Sequence, residues 1–532
     1  MRILKKALCL ILAFGLVFSA TACGGGASSG VKGTLAIASF EGGYGRAWLD
    51  ELIKAYKKHN PEANIADPEV NALVRDEAVT AFQTNVSEYD IFFIDGINMG
   101  SYCETYGSLA DLSAVYTSTP KAGDKEENIT IAQKIRPEVL SEMQYGGDRY
   151  QYKGKYYAVP TASGPCSLIL NVDALNYVLG EGNWSEPRTT DELIALADAI
   201  KEAKKKITIE GIQHTVYPMI YSGKALEYWR YLYYTWMAQL GGDEAWEQFN
   251  TLKIDGEYNK AAYQPEGKLE AYQMLEKLIK RDNKYCDTDS MGNEFKESQK
   301  YFLQGKACMY ICGDWLEKEM EESTKYNAEL IMVKTPIISD LAAKLESDYA
   351  VSLGSTDAEK DAKLAEIVSA IDNGATSFDG ISAEAFAKIK KSRAYTFTLA
   401  NSAIAVVPSC SVNQDMVLDF FRFMYSDEGI QIVLDYSKGY LPIVNSSDFV
   451  YNGTPSTFRQ SVNKIANGEI TYLFTSSRDP IRYRAGVDSF LTTEKPETAL
   501  GKKSGAVSAY AYLQTEKTLL DSLWEDFMDA VQ

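Results

Sequence analysis

Apolar and polar positions along the chain follow two periods that alternate. Thr34-Leu35-Ala36-Ile37-Ala38-Ser39-Phe40 is an apolar run of strand length that ends in Glu41-Gly42-Gly43-Tyr44-Gly45. Trp48, Leu49, Leu52, Ile53 and Tyr56 then recur at the spacing of one helical face until His59-Asn60-Pro61 stops them. A further strand is predicted from about Ala63, a helix over 75–86 and a buried strand over 89–95. Strands and helices in alternation predict an α/β lobe with a parallel sheet.

The texture changes after Tyr150. Tyr156-Tyr157-Ala158-Val159-Pro160, an irregular 162–165 and a strand over 167–171 predict a crossover into a second lobe. Helices are expected over 189–205, 226–240, 267–281 and 294–303, long amphipathic stretches over 340–393, and a strand over 403–408 that returns to the first lobe. The resulting division is 34–162 in lobe 1, 163–403 in lobe 2 with a helical insertion about 340–400, 404–450 back in lobe 1, and 451–532 as a C-terminal helical part of lobe 2. Length agrees, since 532 residues exceed what one hydrophobic core holds, roughly 250–300.

At the start, Arg2, Lys5 and Lys6 precede the apolar run 7–18 and then Ser19-Ala20-Thr21-Ala22-Cys23. That apolar run is too short to span a bilayer, so 1–22 reads as a signal peptide. The small-small-Cys ending followed by a Gly/Ser-rich 24–30 resembles a bacterial lipobox and tether, with Cys23 as the lipidated residue and 23–33 as the flexible link. Acyl chains contribute about 0.8 kcal/mol per buried methylene, enough for two or three chains to hold a soluble protein at a membrane. The expected location is the extracellular face of the cell membrane of a Gram-positive bacterium. Ordinary secretion, with Cys23 incidental, is the alternative.

Charge narrows the partners. Fifty-four Lys and Arg against 73 Asp and Glu give a net charge of −19, and loss of 1–22 takes it to about −22. Counterion release then has few cations to work with, and nucleic acid is excluded as the expected partner. Cys103, Cys166, Cys286, Cys308, Cys312 and Cys410 are scattered rather than spaced as a disulfide framework, and are expected as free thiols. Cys308 and Cys312 lie in the apolar run 307–312, where a buried strand is favoured over a metal site.

Several segments, in order, resemble one family. They are Lys155-Tyr156-Tyr157-Ala158-Val159-Pro160, Leu170-Asn171-Val172-Asp173-Ala174-Leu175, Pro187-Arg188-Thr189-Thr190-Asp191-Glu192-Leu193, the run 302–309 followed by Gly313-Asp314-Trp315, and Asp427-Glu428-Gly429 with Gly439-Tyr440-Leu441-Pro442. Together they resemble the extracellular solute-binding proteins of carbohydrate-importing ABC systems, the family that includes the maltose-binding protein. The resemblance implies a two-lobed, periplasmic-binding-protein-like (type II) α/β fold with a hinge of several crossings. It also implies a monomer that closes on a carbohydrate ligand and delivers it to ABC permease subunits, without cofactor or metal. Gly164 stands where maltose binders place a carboxylate, and 340–400 is longer than in compact members, so maltose is not the expected ligand.

A sugar presents hydroxyls and apolar C–H faces, so its pocket combines polar anchors with aromatic walls. Trp315 is the first candidate, because the family's Gly-x-Trp tryptophan faces the cleft; core packing is the alternative. Asp314 beside it is read either as a hydroxyl acceptor or as a helix N-cap. Glu41 and Tyr44 follow the first strand and Asp95 ends a later one, which is where open α/β sheets bind ligands, although a plain turn or a loop cap would use the same residues. Tyr228 and Trp229 belong to the run 228–236, too aromatic to be buried on one face. For Arg482 and Arg484 a solvated or salt-bridged surface is favoured over ligand contact.

Catalysis lacks material. Two histidines, His59 and His214, leave little for triads or multi-histidine metal sites, and no phosphate-binding Gly-x-x-x-x-Gly-Lys-Ser/Thr run occurs. Asp287-Thr288-Asp289 opens like a calcium loop, but Ser298 stands where a bidentate Glu belongs. A secreted carbohydrate-active hydrolase is the alternative from another class, because a carboxylate pair suffices for it. A receptor for a non-sugar small molecule is the alternative within the binding class.

Overall fold

Two sheets organise the chain, each formed where the sequence supplies short runs of unbroken apolar character. The computed structural model describes residues 33–532 except 41, 147–150, 322–327, 400–402, 439–442, 445–448, 476–478 and 492–493. Glu41, Cys23, the signal peptide and tether over 1–32 and the Gly439-Tyr440-Leu441-Pro442 motif therefore lie outside the described residues.

In the first lobe the strand order is Glu69–Asn71, Ile37–Phe40, Ile91–Ile94, Ile404–Val406, Val159–Pro160. The first three are parallel and are linked by the helices Ala47–His59 and Val74–Thr84. Ile404–Val406 runs antiparallel between Ile91–Ile94 and Val159–Pro160. The helix Ala47–His59 buries Trp48, Leu49, Leu52, Ile53 and Tyr56 on one stripe, as its 3.6-residue period requires.

The second lobe is built on Pro165–Asn171, buried at every position. Ala307–Gly313 pairs antiparallel along one edge of it, and Tyr395–Thr398 and Leu330–Val333 share the other. Tyr217–Met219 and Thr471–Leu473 extend the sheet outward, each parallel to its neighbour. The stretch 340–400 supplies three helices, Leu341–Tyr349, Asp357–Asp372 and Ala383–Ala394, whose buried faces join the core of this lobe.

Among the described residues the chain leaves one sheet for the other after Pro160, after Thr398, and between Val444 and Thr457. The first two passages lie side by side. The Thr161 N–H donates to the Ala403 carbonyl at 2.8 Å, and the Ser163 and Thr398 hydroxyls are 3.1 Å apart. Tyr425 fixes the approach by donating to the Pro160 carbonyl at 2.5 Å.

One expectation needs correction. The segment 451–532 is not confined to the second lobe, because Phe474 and Tyr483 are buried in the core of the first while Ile481, Ala485 and Val487 are buried in the second. Arg484 fastens this tie. Its guanidinium bonds the Glu104 carboxylate at 2.5 and 2.8 Å and the Val531 carbonyl at 2.6 Å.

All six cysteines outside the N-terminal region are free. No described helix is long and apolar enough to cross a membrane.

Candidate functional site

Between the lobes lies a cleft of about 580 Å³. Its second-lobe wall is aromatic. The strand Ala307–Gly313 ends at a turn that lays the Trp315 indole back over it. A Cβ at Gly313 would lie 1.9 Å from the ring, so this turn needs glycine. Tyr228 and Tyr231 meet Trp315 edge-on, with ring centroids at 6.3 and 6.5 Å, and Phe397 stacks on Tyr231 at 5.2 Å. All four residues line the cleft.

The same segment explains why Trp229 does not. A turn of 3₁₀ helix over Leu226–Trp229 runs into the helix Arg230–Thr251, so Tyr228 and Tyr231, three apart, share a face and Trp229 points away from it. Trp229 is 1% exposed and packs against Tyr221 at 5.7 Å. Its assignment to the ligand site is corrected to the core of the second lobe.

Asp314 is corrected too. It is 0% exposed and does not cap the following helix Leu316–Met320. Its carboxylate pairs with the buried Arg459 at 3.3 Å, and Arg459 also donates to the Asp314 carbonyl at 2.9 Å. Burial pushes the carboxyl up to about 6, against the opposing pull of Arg459. Asp314 is thus a support beneath the cleft floor. The Tyr44 hydroxyl hydrogen-bonds to this carboxylate from the opposite lobe, and burial, with Asp314 next, pushes the Tyr44 phenol well up.

The first lobe contributes Tyr44, Asp95 and Arg75 to the cleft wall. Asp95 stands 3.5 Å from Arg75; burial raises its carboxyl while Arg75 pulls it down. The Gly43 N–H reaches across to Glu319 at 3.1 Å, and Gln299 donates to the other oxygen of that carboxylate at 2.7 Å. Burial raises the Glu319 carboxyl despite these two bonds. Arg482 is spent on Asp488 and on the carbonyls of Phe249 and Asn250, and Arg484 on Glu104.

With two lobes, repeated crossings and an aromatic cleft in place, the family can be decided. The model of the family described as bacterial extracellular solute-binding protein matches residues 42–431. The chain belongs to that family.

This solute-binding protein is 25% identical over 224 residues to the diacetylchitobiose-binding protein NgcE of Streptomyces coelicolor. That match spans 38% of the chain and 44% of the relative, less than half the length of either. Among solved structures, the bacterial solute receptor AcbH superposes with a TM-score of 0.59 at 10% identity, covering 93% of this chain and 100% of that one. The ABC substrate-binding protein Lmo0181 of Listeria monocytogenes, in complex with cycloalternan, does so at 0.56 and 16%, covering 93% and 99%. At such identities the superpositions establish the shared fold.

Features of this cleft not singled out from sequence include Tyr231, Phe397, Arg230, Arg75, Glu319 and the Asp314–Arg459 support. Tyr231 was within reach, because helical spacing puts it on the face of Tyr228 and excludes the adjacent Trp229. Phe397 and Arg459 carry no local signal; they meet the site only through strand pairing and through the helix Thr457–Ala466.

Proposed function

We propose that this protein is the receptor of an ABC importer, capturing a sugar or short oligosaccharide between its lobes and presenting it to membrane permease subunits. The observation that carries the reading is the wall of Tyr228, Tyr231, Trp315 and Phe397 facing Tyr44, Asp95 and Arg75 across one cleft. Rings pack against the C–H faces of a pyranose while carboxylate and guanidinium groups bind its hydroxyls. Lobe closure then gives the permease a shape to distinguish loaded from empty receptor. Sugar ligands named for relatives, diacetylchitobiose for NgcE and cycloalternan for the Listeria protein, agree in class.

The receptor performs no chemistry on the ligand and works as a monomer. Its N-terminus is cleaved before Cys23, which carries the lipid that holds it on the outer face of the cell membrane; mass spectrometry of the mature N-terminus tests this.

Thermal-shift screening against a sugar panel tests the binding function. A ligand at 100 times its dissociation constant stabilises the folded state by roughly 2.7 kcal/mol. A panel of mono- and oligosaccharides that leaves the transition unmoved, or oligosaccharides that acquire new reducing ends on incubation with the protein, would overturn the reading.

A further inference from the structure

The chain carries a net charge of −19, yet among the described residues cations in the cleft wall outnumber carboxylates. Among the described residues the cleft wall holds four cations, Arg75, Lys224, Arg230 and Lys495, and three carboxylates, Asp95, Glu227 and Glu319. Each carboxylate is engaged within the protein. Asp95 lies 3.5 Å from Arg75 and Glu227 lies 3.7 Å from Lys495, while Glu319 accepts from Gln299 and from the Gly43 N–H.

Two cations remain without an ion pair among the described residues, Lys224 and Arg230, six positions apart on the segment that also carries Tyr228. Arg230 is the more telling of the two. Its Nε is buried and has no hydrogen-bond partner. The fully buried Glu497 beyond it accepts from the Tyr233 hydroxyl at 3.1 Å and, like Asp488, acts on the guanidinium through its charge from beyond ion-pair distance.

A guanidinium held in a cleft wall without an ion pair is costly until an acceptor reaches the edge of it that lines the cleft. A sugar hydroxyl supplies a hydrogen bond but no charge in contact with the guanidinium. A carboxylate supplies both, since its two oxygens match the planar fork of arginine at contact distance.

We propose that the saccharide taken by this cleft bears a carboxylate, as a uronic-acid-containing oligosaccharide does, with Arg230 binding that group and Lys224 adding a second positive charge. The inference rests on the saccharide reading above and narrows its ligand.

Titration calorimetry on the whole chain tests it, with glucuronate- and galacturonate-containing di- and trisaccharides, each paired with its carboxyl-reduced neutral counterpart. The acidic member of at least one pair is expected to bind about tenfold tighter than its neutral partner, the scale of one charge-assisted hydrogen bond. Arg230→Gln is expected to abolish that preference while leaving the unfolding transition in place. The wild-type comparison needs no variant and stands if Arg230→Gln fails to fold. Neutral members binding as well as acidic ones, or a preference that survives Arg230→Gln, would overturn the proposal. If neutral sugars bind and no uronate does, this inference falls and the receptor reading stands; if no saccharide of either kind binds, both fall.

Discussion

The carboxyl group of Asp314 occupies the space that a side chain at position 164 would fill: a Cβ built on Gly164 would lie 2.2 Å from it. Gly164 belongs to the first interlobe passage, and Asp314 is pinned by Arg459 from behind. Neither group can yield cheaply. Gly164→Ala is therefore expected to destabilise the protein by about 1–3 kcal/mol, the usual range for overpacking a tight site. Urea unfolding measures this, and a midpoint equal to wild type would mean that the passage can shift to make room.

The Asp314 carboxyl also sets a pH dependence. Its folded-state pKa, raised to about 6, lies above the ordinary 3.8. The unfolded chain gives up the proton first, so this group's contribution is fully present below the ordinary value and is lost as pH rises through about 6. The total is about 3 kcal/mol. The difference in unfolding free energy between wild type and Asp314→Asn should shrink by about 2 kcal/mol, most of that total, from pH 4 to pH 7. A constant difference across the range would show that the group does not titrate there.

Glu104 is expected to do the reverse. Burial pushes its carboxyl up, but hydrogen bonds from Arg484, Tyr145 and Tyr483 outweigh burial and bring it down to about 2. Its stabilisation is present above the ordinary carboxylate value of 4.5 and is lost as pH falls toward 2. At pH 7, Glu104→Gln is expected to cost about 3–5 kcal/mol, since it removes the carboxylate charge that faces the largely buried Arg484 guanidinium. That gap should narrow in acid. If it widens instead, the carboxylate is not held ionised by this network.

For binding, Trp315→Ala should reduce affinity for any saccharide ligand by about 2 kcal/mol or more, roughly 30-fold, with the fold retained. Trp229→Phe, a change in the core, should leave affinity within about twofold while lowering stability by about 1–3 kcal/mol. Calorimetry and thermal unfolding of the two variants separate these effects. Equal affinity losses would mean that core and cleft cannot be distinguished by burial.

Lys268 and Glu516 hold the C-terminal helix Ala509–Val531 to the second lobe and so bear indirectly on the interlobe tie at Arg484. Both side chains are 2% exposed and their charged groups are 3.0 Å apart. Glu516→Gln should cost about 3–5 kcal/mol by leaving the ammonium buried without its counter-charge. Because Arg484 is tied to Val531 on that helix, the variant should also speed backbone hydrogen exchange around Tyr483. Unchanged exchange there would separate the helix from the interlobe tie.

Sequence alone determined the elements and their sides. The apolar run 34–40, which the structure divides at Ala36 into strands of two sheets, the helix stripe Trp48 to Tyr56, the buried strand 307–312 and the helical 340–400 were legible because period and burial are local properties of a chain. The ordered motifs pointed to the family, and Trp315, Tyr44, Asp95 and Tyr228 were placed on what proved to be the cleft wall. Tertiary structure alone decided the rest. Asp314 went inward because Arg459, 145 positions later, offers a charge in the core. Trp229 went inward because a helix divides adjacent residues between two faces. Arg230 has no ion pair among the described residues because Asp95 and Glu227 face other cations and Glu497 lies beyond ion-pair distance. Partners so far apart along the chain meet only when sheets and hinge have formed, and the charge each side chain finds opposite it is fixed at that point.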